Sequence, residues 1–78
     1  MLEKTRHILD RLPQHAAAIR ERMMIDWEFR ALCADYGDAL EALRRWEASD
    51  DRRHNRVEEF RTLLAELEQE IVRELGVG

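Results

Sequence analysis

Apolar residues recur at alternating intervals of four and three positions through the middle of the chain, and a shorter series follows in its last third. The first series comprises Ile25, Phe29, Leu32, Tyr36, Ala39, Leu43 and Trp46, and the second comprises Val57, Phe60, Leu64, Leu67 and Ile71. Residues three and four apart share one face of an α-helix, and the positions between are mostly charged or polar. The pattern predicts two amphipathic helices, over about residues 24–48 and 56–75.

The segment between these two helices, residues 48–54, has no apolar residue larger than alanine and predicts a short connection. Asn55 stands three residues before Glu58, as in a capping pair that opens a helix. Gly76 follows Leu75 and predicts a left-handed helix end. Because a short connection makes neighbouring helices antiparallel, the expected fold class is all-α, with an antiparallel helical hairpin and a shorter N-terminal helical segment.

The first 24 residues predict additional helix with at least one interruption. Pro13 disfavours a continuous helix, so a short helix over about 3–12 and a second over about 14–48 are expected. The stripe formed by Ala16, Ile19 and Met23 is out of phase with the series that begins at Ile25, which predicts a break, a kink near residue 24 or a change of buried face between Met23 and Asp26. Residues 1–78 are interpreted as one domain, without internal repeats or linkers.

Gly37 lies within the first long helix, where a glycine costs about 1 kcal/mol relative to alanine. Two interpretations remain open at this position. The glycine either permits a close backbone approach by another segment, which we favour, or it marks a break in the helix.

The apolar stripes are wider than two helices alone would bury. Additional apolar residues flank the two series: Cys33, Leu40, Leu63, Val72 and Leu75. Either residues 3–23 fold back as a third helix or a second copy covers this surface. A chain of 78 residues has a small core, so a homo-oligomer, most simply a dimer, is favoured. The residues expected at the partner interface are Trp27, Cys33, Leu40, Leu63 and Val72.

Composition narrows the functional classes. Charged residues make up 38% of the chain with a net charge of only −4, so both signs are mixed and a nucleic-acid-binding surface is not favoured. Cys33 is the single cysteine, which excludes an intramolecular disulfide. No apolar run is long enough for a membrane span, and the charged N-terminal residues do not resemble a signal peptide. We expect a cytoplasmic protein.

Candidate chemistry is sparse. His54 and Glu58 with Asp50 and Asp51 are the best metal-ligand candidates. The three histidines are widely spaced and the Glu-x-x-His pattern of di-iron bundles is absent, so no metal or cofactor is predicted. No nucleophile and base are placed for catalysis, so the chain is not predicted to be an enzyme. The carboxylates of Glu66, Glu70 and Glu74 form a stripe that suits a solvated face or an arginine-bearing partner.

An arginine-rich tip supplies the alternative function, that of a nucleic-acid accessory protein. Its residues are Arg44, Arg45, Arg52, Arg53 and Arg56. Acidic residues interrupt the cluster, and helix dipoles favour this placement of charge without any ligand. The favoured function is therefore a structural or protein-interaction module that self-associates through a helical bundle and has no assigned cellular process.

The chain also carries a loose family motif. The stretch Asp26–Leu32, then Asp35 and Tyr36, then Ala39–Trp46 resembles the small uncharacterised bacterial proteins of the YdcH type. The resemblance covers roughly residues 15–75. It implies a helical hairpin in a bacterial protein, and it implies no established activity and no site residues.

Overall fold

The computed structural model describes the backbone of residues 3–48 and 54–76 and the side chains of residues 4–48 and 57–76. It contains α1 (Glu3–Arg11), a 3-10 turn (Pro13–His15), α2 (Ala16–Ile25), α3 (Trp27–Ala48) and α4 (His54–Glu74). Within the described ranges there is no strand. The all-α class predicted from the sequence is confirmed.

The structure divides the predicted helix over residues 14–48, with its possible kink near residue 24, into three elements. Pro13 begins a 3-10 turn rather than an α-helix, and Leu12 before it has left the helical region. Asp26 is extended, with φ −138° and ψ 99°, so α2 ends before it and α3 begins after it. The phase change in the apolar pattern therefore corresponds to a full break.

The core draws on all four α-helices. Its buried apolar residues are Ile8 and Ile19 from the first two helices, Phe29, Cys33, Tyr36, Ala39 and Leu43 from α3, and Leu64 and Ile71 from α4. Leu9, Leu12 and Met23 pack partly against this core, so the N-terminal segment covers α3 within one chain. Ile25, assigned to the heptad series, is 84% exposed because the helix that would have turned it inward ends at Asp26.

The first turn of α1 lies directly on α3 at Gly37. A Cβ added to Gly37 would lie 2.8 Å from the Cα of Lys4, closer than any side chain could be tolerated. Beside this contact, the Lys4 ammonium pairs with Asp38 at 2.9 Å and His7 Nε2 contacts Glu41 at 3.2 Å. Gly37 thus serves a close backbone approach inside a continuous helix, as favoured above.

Later residues of α3 contact earlier residues of α4. The Tyr36 hydroxyl donates to Glu68 at 2.7 Å, whereas Glu47, later in α3, accepts from Arg61, earlier in α4, at 2.9 Å. At the end of α4, Gly76 adopts the left-handed conformation expected from the sequence, with φ 73°.

Candidate functional site

The break between α2 and α3 is a corner held by one carboxylate. Asp26 Oδ1 accepts the backbone N–H groups of Glu28 and Phe29, each at 3.1 Å, and so caps the start of α3. Its other oxygen accepts Arg22 Nε at 3.1 Å. The Phe29 amide first, and then the Arg22 guanidinium, hold the pKa of Asp26 below its ordinary value. The ionised carboxylate therefore fixes the angle of the chain.

Arg22 ties the same corner to the core. Its guanidinium carbon lies 5.7 Å from the centroid of the Phe29 ring, within the range of a cation–π contact. Phe29 is only 3% exposed, so this contact connects the corner to a buried aromatic ring. The arrangement gives the connection between α2 and α3 a defined geometry rather than that of a loose hinge.

Three large apolar residues project from this corner, and we call them the junction patch: Met24, Ile25 and Trp27. Their exposed fractions are 84%, 84% and 78%. Single exposed apolar residues are common on proteins, but three within four consecutive positions form a concentrated apolar surface. Exposed tryptophan in such a setting is typical of binding surfaces. The patch is the strongest candidate for a functional site in the described structure.

A groove of about 480 Å³ begins at Trp27 and runs between the first half of α3 and the end of α4. Its apolar lining includes Trp27, Ala31 and Leu32. Its carboxylates are Asp26, which is paired with Arg22, and Glu28, Asp35, Glu70 and Glu74. No basic side chain of the described residues lines it. We call this feature the acidic groove. The predicted acidic stripe of α4 thus contributes two of its members to a site shared with α3.

Cys33 does not belong to a partner interface in this structure, which corrects the prediction from the sequence. Its side chain has no exposed surface, since it faces the core that α1 and α2 complete. Burial raises the pKa of its thiol to about 12, so the thiol stays protonated at neutral pH. A reactive role is therefore disfavoured as well.

The other residues predicted at the interface are scattered. Trp27 lies at the corner, whereas Leu63, 40% exposed, lies on the outer face of α4. Leu40 and Val72 are half-buried, and Leu40 packs against the core. Ile25 was missed as a surface residue. The signal that would have found it is Asp26, an aspartate at the phase change that can cap a helix.

A polar network crosses the bundle beside Leu40. Glu68 accepts both the Tyr36 hydroxyl, at 2.7 Å, and Arg11 Nε, at 3.0 Å, and so joins α1, α3 and α4. Burial, followed by the Glu68 carboxylate, raises the pKa of the Tyr36 hydroxyl. Tyr36 therefore remains a neutral hydrogen-bond donor, which suits a structural role.

The arginine-rich tip and the metal-ligand candidates fall largely beyond the described residues. Arg44 and Arg45 are exposed on α3. Outside the described residues lie Arg52, Arg53, Asp50, Asp51 and the side chains of His54, Asn55 and Arg56. The helix cap predicted at Asn55 therefore also lies outside them. Within residues 3–48 and 54–76, no three potential metal ligands come together.

Comparisons add no assignment. No family model, curated protein or solved structure matches the chain. The resemblance to the YdcH type therefore stays a prediction. In the part of the chain that the structure describes, every helix is too short or too polar to cross a membrane.

Proposed function

We propose that this chain is a protein-interaction module that self-associates through the junction patch. The observation that carries the proposal is the exposure of Met24, Ile25 and Trp27 on a corner fixed by Asp26. A rigid apolar corner loses little conformational freedom on binding, which favours association. We favour this location over Cys33 and Leu40, because Cys33 is fully buried and Leu40 packs against the core of the same chain.

The charges beside the patch suit a second copy of the chain. Arg20 and Glu21, both exposed on α2, carry opposite signs one residue apart. In a two-fold interface each surface meets its own equivalent, so Arg20 of one copy can approach Glu21 of the other. The Arg22 charge is already matched by Asp26 in the same chain. The surroundings of the patch are therefore self-complementary in charge.

The expected self-association is weak. Burying a large apolar side chain contributes roughly 1.5–3 kcal/mol, so three residues on each copy supply a modest total. Association costs about 4–15 kcal/mol in lost translational and rotational freedom, which offsets most of this gain. The balance places the dissociation constant at roughly micromolar to millimolar. Such a dimer forms at high local concentration and leaves the monomer folded.

Sedimentation velocity tests the proposal. The wild-type mass should rise from 9.3 kDa toward twice that value over a roughly hundredfold concentration range. The double variant Met24→Ser/Ile25→Ser should remain at the monomer mass throughout. Leu63→Ser, which removes an exposed apolar residue elsewhere, is the matched control and should behave as wild type. A wild-type mass that stays at the monomer value would refute the proposal.

A further inference from the structure

The acidic groove differs from the junction patch in its charge. Carboxylates stand on both of its walls, with Glu28 and Asp35 on α3 and Glu70 and Glu74 on α4. Among the described residues, none of these four forms an ion pair. Some carboxylates elsewhere on the surface are matched, as Asp38 is by Lys4 and Glu47 by Arg61, whereas others, such as Glu59 and Glu66, form no ion pair among the described residues. The groove therefore concentrates unmatched negative charge around an apolar floor.

We propose that the acidic groove binds a cationic amphipathic helix of another protein. The apolar side chains of this helix would lie on Ala31 and Leu32 with Trp27 at one end, and its Lys or Arg side chains would pair with the carboxylates. This is the way in which an amphipathic helix is bound in a groove. The inference extends the interaction role to a second surface and does not depend on self-association through the junction patch.

The dimensions of the groove fit such an occupant. Glu28 and Asp35 are seven residues apart on α3, which corresponds to two turns or about 10 Å. Glu70 and Glu74 are one turn apart on the facing helix. A partner helix of two to three turns with basic residues on both sides of an apolar stripe therefore meets carboxylates on each wall.

The end of α4 adds to the preference for positive charge. The C-terminal end of a helix carries a partial negative charge from its unpaired carbonyl groups. Glu70 and Glu74 lie in the last two turns of α4, where that partial charge opposes theirs. A cation bound in the groove would relieve both repulsions at once, whereas an anionic or neutral helix would relieve neither.

A second copy of the chain is a poor occupant of this groove. A two-fold arrangement would bring the same four carboxylates of two copies together, and like charges in contact are unfavourable. The groove and the junction patch share Trp27, but Met24 and Ile25 do not line the groove. The two surfaces can therefore be altered separately.

The test uses a dye-labelled helical peptide of leucine and lysine as the probe, with binding followed by fluorescence anisotropy. The wild-type chain should bind it, with an affinity that falls as salt is added. Replacing three groove carboxylates, in Asp35→Asn/Glu70→Gln/Glu74→Gln, should weaken binding by about tenfold, since exposed ion pairs contribute modestly. A leucine and glutamate peptide of the same length should not bind.

The matched control removes three carboxylates from the outer face of α4, in Glu58→Gln/Glu59→Gln/Glu66→Gln. These residues lie around Leu63 and away from the groove. The control should bind the peptide within about twofold of wild type, because its loss of net charge is the same and only long-range attraction changes. Equal weakening in both triple variants, or no binding by wild type, would overturn the proposal.

Two further measurements separate this inference from self-association. Met24→Ser/Ile25→Ser should bind the peptide as wild type does, even where it no longer self-associates. The groove variant should self-associate as wild type does. If the groove variant instead sediments as a monomer where wild type dimerises, the occupant is a second copy and the proposal of a cationic partner is wrong.

Discussion

The region around Gly37, near the middle of α3, and the corner at Asp26, where α3 begins, differ in how far the surrounding side chains are buried. We call them the closed region and the open region. At Gly37, α1 packs so closely that only glycine fits, and Cys33 and Tyr36 beside it in α3 are buried. About three turns earlier, at Asp26, hydrogen bonds also fix the backbone, yet Met24, Ile25 and Trp27 are each at least 78% exposed. A fixed backbone and a buried surface are thus separate properties. The open region is available for binding because its backbone is fixed but its surface is not buried.

The closed region should be the more sensitive to substitution. Gly37→Val places a branched side chain against the backbone of Lys4, which α1 can escape only by moving off α3. We expect a loss of about 3 kcal/mol, at the upper end for overpacked sites, in a domain with about 5 kcal/mol of stability. Urea unfolding followed by circular dichroism measures it.

Cys33 provides an independent measurement of the same change. It lies one turn before Gly37 on the same face of α3, beneath the N-terminal segment. Alkylation of Cys33 should be faster in Gly37→Val than in wild type. Arg45→Val, on the exposed side of α3, is the control and should alter neither stability nor alkylation strongly. Slow alkylation in both variants would contradict the assigned role of Gly37.

A smaller loss is expected from the polar network that joins the closed region to α4. Tyr36→Phe removes the hydroxyl that donates to Glu68 and leaves the Arg11 contact in place. Because Glu68 keeps one partner, the free energy of unfolding should fall by about 1 kcal/mol. Chemical denaturation measures this value. A loss near zero would mean that the hydroxyl exchanges its bond for water without cost.

The open region depends on a local and ionisable contact, so its contribution to stability should vary with pH. The folded-state pKa of Asp26 lies below its ordinary value of 3.8, so its contribution is complete above that value and is lost as pH falls through the folded-state pKa. Asp26→Asn retains a cap but loses the charge. The melting temperature of wild type should exceed that of Asp26→Asn near neutral pH, and the difference should disappear in strong acid. A difference independent of pH would contradict this assignment.

The smallest effect on folding is expected from the junction patch itself. Met24→Ser/Ile25→Ser removes two side chains that are mostly in water, so stability should change by less than about 0.5 kcal/mol. At concentrations where the wild type dimerises, its melting temperature should rise with concentration, and that of the variant should not. A large loss of stability at low concentration would show that these residues pack within the chain.

The sequence predicted the fold better than the site, for a physical reason. Periodicity reports which helix face is apolar, so the core positions Phe29, Tyr36, Leu43 and Leu64 follow from it. It carries no information on which neighbour covers that face. The sequence therefore left open whether the N-terminal segment or a second copy covers Cys33.

The corner shows a second limit of the pattern. Ile25 fits the heptad spacing, and only the capping hydrogen bonds of Asp26 remove it from the series. A local polar contact here overrides the apolar period. Interpreting aspartate at the phase change as a helix cap would have separated Ile25 from the core and identified the junction patch. The acidic groove was out of reach, because it combines residues from two helices about forty positions apart in sequence, from Asp35 to Glu74.

The most direct test of the account is the solvent accessibility of Trp27 as a function of protein concentration. In Trp46→Phe, Trp27 is the only tryptophan, and quenching of its fluorescence by acrylamide measures its exposure. We expect strong quenching in dilute solution, where the corner is open, and progressively weaker quenching as a second copy covers it. Quenching that remains equally strong across the whole concentration range would contradict self-association through this corner.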